Sequence, residues 1–544
     1  VKPSNELIFV ALGGSGEIGM NVNLYGCNGK WLMVDLGMTF SGNEYPGVDL
    51  VFADLEFIEE NRDDLIGVVL THAHEDHIGA VPYFAADLGV PLYATPFTAR
   101  LVAQKLEEAG LAASVELKVV DHLDRFELGP FGIRYVPLAH SIAEGNALLI
   151  DTPHGKIFHT GDWKLDDEPQ IGVPASVEEL TRIGDEGVLA LVCDSTNVFN
   201  PLPSGSEGGV LRGLHEEVAK HKGRRVLVTT FASNVARLQT LGTVARDANR
   251  KLCIAGRSLD RIIAAGKASG YLKDFPEIID FDRAMNLPRG EVMIVATGGQ
   301  GEPRAALARI AEGNHPIALE EGDVVLFSSR EIPGNEIAIG RIQNILAGRG
   351  VVLVSGKQSP IHVSGHPGRP ELEALYGWIR PQVLVPVHGE VRHMREQNRV
   401  GKASGIKQTV FQKNGDLVRL APGKAGKFGV VRAGRLVLDG DIIAPADGEA
   451  MVMRRRLARD GVLSVAVDAS GRAKVAGLGI PLEEDYDSFI SEAEADVANA
   501  LGKLKGGERS DPAKRSEAAR LAARRAAQRW SGKKPQVQVM LLES

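Results

Sequence analysis

Short apolar runs, each closed by glycine or a polar turn, dominate the first third of the chain. Residues 7–12 form one such run, ending at Gly13 and Gly14. Residues 22–25 and 30–34 read as two strands joined through a glycine-bearing turn, and residues 67–70 as a buried strand that delivers Thr71. Residues 133–138, 147–152 and 156–159 continue the style, with a helix predicted over 98–108. Short apolar blocks punctuated by turn formers and mixed with helices predict a layered α/β unit.

From about Gly213 the rhythm changes. Helical stretches over residues 214–220, 234–249 and 304–312 alternate with apolar strands over 225–229, 292–296 and 323–328. That alternation is the βαβ rhythm of a parallel sheet. Strands resume at 351–354 and 383–387, and the Gly- and Pro-rich stretch 421–428 reads as turns. From about Met451 a small separate unit is expected: strands, a helix over 485–504, an Ala/Arg-rich helix over 512–530 and a strand over 536–542. No internal repeat is evident.

Length agrees with this division, because 544 residues exceed one ordinary core and predict two or three domains. The chain is 44% hydrophobic and 24% charged, an ordinary globular balance, and contains no apolar run long enough to cross a bilayer. No membrane association is expected. Residues 1–9 lack the basic segment and long apolar stretch of a signal peptide. Cys27, Cys193 and Cys253 are scattered, which predicts buried thiols in a reducing, cytoplasmic setting. A net charge of −8 speaks against a surface that binds nucleic acid all over. It leaves room for a nuclease with a local basic groove.

The densest chemistry follows the strand ending near Thr71. His72, His74, Asp76 and His77 place four lone-pair donors within six residues. Imidazole nitrogen and carboxylate oxygen are the donors that divalent metals such as zinc take up. His72 and His74 can face one ion while Asp76 and His77 face another. Two coordination spheres need further donors, and Asp35, His140, Asp162 and His388 each follow an apolar or β-rich run and precede a turn. These observations predict a two-metal hydrolase.

The motif His-x-His-x-Asp-His, with a histidine and an aspartate downstream, resembles the metallo-β-lactamase superfamily. Asp194 in Cys-Asp-Ser-Thr, His366 in Ser-Gly-His-Pro and His388 in Pro-Val-His-Gly-Glu are similar to the extra motifs of its nucleic-acid-processing β-CASP group. The opening from Gly13 to Asn21, the run Phe231-Ala232-Ser233-Asn234 and the run from His362 to His366 resemble those of bacterial ribonucleases J. The resemblance covers nearly the whole chain.

It implies an α/β architecture: a metallo-β-lactamase αββα sandwich, an inserted β-CASP α/β domain and a small C-terminal α+β domain. The expected segments are 1–212 and 351–445 for the first, 213–350 for the second, 446–465 as a linker and 466–544 for the third. It implies that His72, His74, His140 and Asp162 hold one ion, and Asp76, His77, Asp162 and His388 the other, with Asp162 bridging. Asp35 would orient the site. Two divalent ions per chain are expected, Zn2+ first, with Mn2+ or Mg2+ as alternatives. Asp194, His366 and Asp76 would be catalytic. Phe231, Ser233, Asn234, His362, Val363, Ser364, Gly365 and His366 would bind substrate.

The implied activity is a ribonuclease on single-stranded RNA, a 5′-to-3′ exonuclease on 5′-monophosphate ends with endonuclease activity, acting in RNA maturation and mRNA decay. A homodimer or homotetramer through the C-terminal domain is implied as well. Pro367, Gly368 and Arg369 depart from the small residues usual after the His366 motif, which bears on the shape of the neighbouring phosphate pocket. A small-molecule hydrolase, a DNA nuclease and a non-catalytic RNA-binding scaffold subunit are the competing readings. The long insertion, His388 and the full donor set respectively weigh against them.

Other signals are weaker. Gly14-x-Gly16-x-x-Gly19 has the form of a dinucleotide fingerprint, but a strand rather than a helix is predicted after it. Gly298-Gly299-Gln300-Gly301 suits either a phosphate cradle or a plain strand-to-helix turn, and Ser233 or Asn234 could simply cap a helix. His159 is expected to neighbour the metal site without joining it. The helix carrying Arg515, Arg520, Arg524, Arg525, Arg529 and Lys533 could hold RNA, although a solvated face is the simpler reading.

Overall fold

The computed structural model describes residues 5–42, 44–122, 124–332 and 334–542. The reading of residues 1–9 lies in part outside them. Two compact units form, one of Val1–Thr39 with Phe52–Gly434 and one of Phe40–Val51 with Arg435–Ser544.

In the larger unit, an eight-stranded and a seven-stranded sheet share one apolar core. The period of two decides which residues enter it. Leu7, Phe9 and Ala11 of strand Leu7–Gly13, and Leu32 and Val34 of strand Lys30–Val34, point into the shared core. Phe131, Ile133 and Tyr135 meet them from the opposite sheet. Trp31 points the other way and meets Phe57 edge-on at 5.4 Å between centroids. Helices Val81–Leu88 and Pro96–Glu108 bury Phe84, Leu88, Phe97 and Val102. Helices Val177–Asp185 and Arg369–Ile379 cover the seven-stranded sheet through Leu180, Ile183, Leu372 and Leu375. Each fully buried Leu, Ile or Phe contributes about 1.5–3 kcal/mol relative to exposure.

In sequence between strands Ala190–Asp194 and Val383–Val387 of the seven-stranded sheet, the chain builds a six-stranded, all-parallel sheet with a core of its own. Its central strands Val226–Thr229, Val292–Ala296 and Val324–Phe327 are buried throughout, which explains their unbroken apolar character. The motif after Gly14 leads into strand Val22–Cys27, not a helix, so the dinucleotide form is accidental.

In the smaller unit, strand Val462–Val467 pairs antiparallel with Ala473–Leu478 and parallel with Gln536–Leu541. Helices Tyr486–Gly502 and Pro512–Ser531 pack Phe489, Val497, Ala519 and Ala523 against this sheet. Two local expectations need correction. Residues 421–428 are not all turn: strands Asp416–Ala421 and Gly426–Val430 pair across a short connection. The region from Met451 opens with a helix, Glu449–Asp460, rather than strands. Its polar run Arg454, Arg455, Arg456 hides a single buried anchor, Met451, so the apolar period is faint.

Candidate metal centre

Strand ends gather the donors. Strands Gly155–His159, Ala190–Asp194 and Val383–Val387 are parallel neighbours, so Asp162, Asp194 and His388 emerge at one edge of the seven-stranded sheet. In the facing sheet, parallel strands Lys30–Val34 and Leu65–Val69 release Asp35 and His72. Ligands commonly collect outside the carboxyl ends of parallel strands. The chain after Val69 runs extended through His72 and His74, then turns into the short helix Glu75–Ile78. The space there is tight: a Cβ on Gly37 would stand 1.8 Å from the Asp76 carbonyl oxygen. Asp35 and His388 both take left-handed backbone conformations, with φ of 64° and 50°, a strained geometry for non-glycine residues.

Three donor groups converge: His72, His74, His140 and Asp162; Asp76, His77, Asp162 and His388; and Asp162, Asp194, His366 and His388. Asp162 is common to all three. Hydrogen bonds to the far nitrogens orient the rings. His77 Nδ1 lies 2.7 Å from Asp35 Oδ2, and Asp35 also accepts from the Thr71 amide and hydroxyl. His140 Nδ1 donates to the Gly365 carbonyl at 2.7 Å. His388 Nδ1 meets Thr196 Oγ1 at 2.6 Å, and His366 Nδ1 meets Asp194 Oδ2 at 2.7 Å. Each bond fixes a tautomer and turns Nε2 inward, the arrangement usual for metal-binding histidines. His159 stands apart, with its Nδ1 2.8 Å from the Tyr25 hydroxyl.

Burial and neighbouring charge divide the histidines. Burial pushes His72 and His140 well below the usual imidazole range; His77, His74 and His140 add to it at His72, and His74 and His366 at His140. His74 is pushed down to about 4, by burial first. Burial also opposes charge on His77 and His388, but the carboxylates around them outweigh it and hold both well above the usual value. For His77 these are Asp162, Asp76 and Asp35; for His388, Asp162, Asp194 and Asp76. His366 is raised too, where Asp194 and Asp162 outweigh burial. Asp162 Oδ1 is buried and, among the described residues, has no hydrogen-bond partner. His74 Nδ1 lies 3.0 Å from both His72 Nε2 and His140 Nε2. Neutral imidazoles pressed together beside an unpaired carboxylate oxygen fit a bound cation.

The remaining predicted residues lie in the loops that the six-stranded sheet contributes. His366 reaches the centre and the Gly365 carbonyl holds His140. Ser364 Oγ accepts from the His366 amide, and Val363 lies against Gly205. Phe231 and Ser233 are half-buried in the turn after strand Val226–Thr229. Asn234 caps helix Val235–Asp247 by accepting from the Arg237 amide at 2.8 Å. Sequence reasoning missed Arg237, which pairs with Glu207 and donates to the Ile361 carbonyl, tying that turn to the His362 loop. It also missed Thr196 and Lys164, the latter buried and paired with Asp166 at 2.8 Å. Thr196 carried a usable signal, as a hydroxyl just beyond Asp194 at a strand end. Lys164 and Arg237 carried none, because only the fold shows that they are buried.

Known families match successive stretches of this chain. The metallo-β-lactamase superfamily matches residues 18–179, the ribonuclease J β-CASP domain 223–346, the Zn-dependent metallo-hydrolase RNA specificity domain 352–410 and the ribonuclease J C-terminal domain 449–544. The chain is 40% identical to ribonuclease J of Sinorhizobium meliloti, over 98% of its own length and 97% of that protein's. It belongs to the ribonuclease J family. Ribonuclease J 1 of Streptococcus pyogenes serotype M3 is 37% identical, with 92% of this chain and 91% of that protein covered. Ribonuclease J of Mycolicibacterium smegmatis is 36% identical, with 98% and 96% covered. A solved protein of unknown function from Enterococcus faecalis V583 shares the fold at a TM-score of 0.55 and 18% identity, over 76% of this chain and 100% of its own. The ribonuclease J family assignment bears out the expected fold class: a metallo-β-lactamase domain, an inserted β-CASP domain and a C-terminal domain.

Proposed function

We propose that the chain is a two-metal ribonuclease that degrades single-stranded RNA from a 5′-monophosphate end towards the 3′ end and also cuts internally. The observation that carries this reading is the place of Asp162 in all three donor groups, where the third group adds Asp194 and His366. In this reading His72, His74, His140 and Asp162 hold one ion, and Asp76, His77, Asp162 and His388 the other. The nitrogen-rich first set favours Zn2+, and the carboxylate-rich second set also suits Mn2+ or Mg2+. When bound, the ions supply Lewis acidity towards phosphate oxygens and lower the pKa of water at the site.

The chain's own side chains supply the rest. Asp35, Thr196 and the Gly365 carbonyl keep His77, His388 and His140 aimed inward. Asp194 favours the protonated form of His366, which is then placed to give a proton to the departing 3′ oxygen. Asp76 shares the His388 side of the centre at 3.0 Å. Products are a 5′-phosphate and a 3′-hydroxyl.

The pocket for the 5′ end lies around His362, with Phe231, Ser233, Asn234, Val363, Ser364 and Gly365 on its approaches. Burial lowers His362 to about 3, and Arg237, Arg330 and Lys164 press in the same direction. Arg237 and Lys164 are paired with Glu207 and Asp166, whereas Arg330 donates to the neutral Asn197 side chain and is placed to meet an anion. The buried hydroxyls of Thr229, Thr230 and Ser329 lack partners among the described residues and can serve phosphate or ribose oxygens. Roles in RNA maturation and mRNA decay, a cytoplasmic setting and a homodimer or homotetramer through residues 466–544 complete the proposal. So do domain boundaries at 1–212 with 351–445, 213–350 and 446–465, the last now including helix Glu449–Asp460.

A time course with end-labelled RNA tests it. Metal-loaded protein is expected to release mononucleotides progressively from 5′-monophosphate RNA and to spare the 5′-triphosphate end. No hydrolysis of either RNA overturns the reading.

A further inference from the structure

The smaller unit contains a second concentration of positive charge, built by two helices and the segment that follows them. Helix Glu449–Asp460 contributes Arg456 and Arg459, helix Pro512–Ser531 contributes Arg524, and the chain beyond it contributes Lys533 and Lys534. They line an open cavity of about 450 Å³ in which Asp460 is the single carboxylate, leaving a surplus of four positive charges.

Most other basic residues on these helices are already engaged. Arg454 pairs with Asp439, Arg455 lies over the Tyr45 ring, and Arg515 donates to the Asp468 carbonyl. Arg520 pairs with Glu517, and Arg529 with Glu492 and Asp496. The cavity cations are different. Arg456 and Lys534 are exposed and, among the described residues, make no ion pair or side-chain hydrogen bond. Arg524 Nε is shielded from solvent and has no hydrogen-bond partner among the described residues. Arg459 pairs with Asp460, and the Lys533 ammonium donates to the Arg459 carbonyl.

Both helices end at the cavity, so part of the charge answers their C-terminal carbonyls. Each helix end is equivalent to about half a negative charge. Two such ends offset about one of the four surplus charges. The remainder points to an anion with several charges. Among the described residues, no aromatic ring and no apolar side chain lines the cavity. A nucleobase would find nothing to stack on, whereas phosphates would meet flexible cations on several sides.

We propose that this cavity is an accessory binding site for the backbone phosphates of RNA, independent of base sequence. The inference rests on the ribonuclease reading above. It also reassigns the basic helix: its RNA-facing part is the Arg524 end together with Arg456 and Lys534, while Arg515, Arg520 and Arg529 serve the unit's own structure.

The test uses the full-length, metal-loaded protein and a cleavage-resistant 30-nucleotide RNA, with affinity followed against salt. Each cation–phosphate contact with a single strand adds about 0.7 to the slope of log affinity against log salt. Arg456→Ala/Lys534→Ala, both at exposed positions, is expected to lower the slope by about 1.4 and weaken binding about tenfold at low salt. Adding Arg524→Ala is expected to bring the loss of slope to about 2. Cleavage of a 5′-phosphorylated dinucleotide, whose two phosphates are both taken up at the metal centre and its 5′ pocket, is expected to stay within about twofold of the parent. Unchanged slope and affinity in both variants overturn the proposal. So does a change confined to the oligomeric state, with RNA binding intact. Failure of the parent protein to cleave any RNA would instead strike the ribonuclease reading, and is read separately from binding.

Discussion

The His72, His74 and His140 side of the metal centre and the Asp76, His77 and His388 side differ in how their charges are balanced. On the first side burial keeps the imidazoles neutral, and their nitrogens face one another at 3.0 Å, with Asp162 the carboxylate that acts on all three. On the second, His388 Nε2 lies 3.0 Å from Asp76 Oδ2 and His77 Nε2 lies 3.3 Å from Asp162 Oδ2, so opposite charges already compensate. The first side therefore presents neutral nitrogens that are free to take up a cation. The second can hold its shape as a set of ion pairs. Burial alone does not set a histidine's charge: rings equally hidden from water diverge according to the carboxylates beside them.

Asp162 joins the two sides, and removing it is expected to have the largest effect. Asp162→Ala should cost at least about 10⁴-fold in RNA hydrolysis and leave fewer than one tightly held ion per chain. Two ions retained in that variant would break the shared-ligand account. His388→Ala comes next: about a thousandfold loss of turnover is expected, with one ion remaining on the histidine-rich side. Metal analysis showing two ions would remove His388 from the second set.

His159 sharpens the same contrast, being as buried as the proposed ligands His72 and His77 and pushed by burial down to about 4. Its folded value lies below the unfolded value of about 6.5. The contribution is therefore fully present above pH 6.5 and is lost as pH falls towards 4, by about 3 kcal/mol. Denaturant titrations across that window should show a shallower acid loss for His159→Gln than for the parent. Parallel curves would mean that His159 is no more neutral than a solvent-exposed histidine. The smallest effect is expected for Asp35→Asn. Losing the charge behind His77 should weaken metal binding on the second side about 10–100-fold and leave the first side unchanged, as competition with a chelator would show. Equal weakening on both sides would contradict the division.

Much of this centre was legible from the sequence because its donors are tied to strand ends. An apolar run followed at once by His72, His74, Asp76 and His77 announces both an element and a cluster. His140, Asp162 and His388 repeat the pattern singly and gained meaning from the cluster and from the family resemblance. What stayed hidden depends on long-range burial. Arg237 and Lys164 look like ordinary surface cations in a polar stretch, yet the fold seals both and ties them to Glu207 and Asp166. Helix Glu449–Asp460 was missed because its one buried anchor, Met451, gives no apolar period. Asn234 shows the converse, since its side chain is used to cap a helix.

The most direct test of the central claim is the number of divalent ions per chain at which RNA cleavage reaches its maximum. It can be followed by titrating metal into chelated protein while cleavage of a 5′-monophosphate RNA is recorded. Two ions per chain are predicted, with cleavage rising only as the second is taken up. Full cleavage at one ion per chain, or cleavage by the chelated protein, would contradict the account.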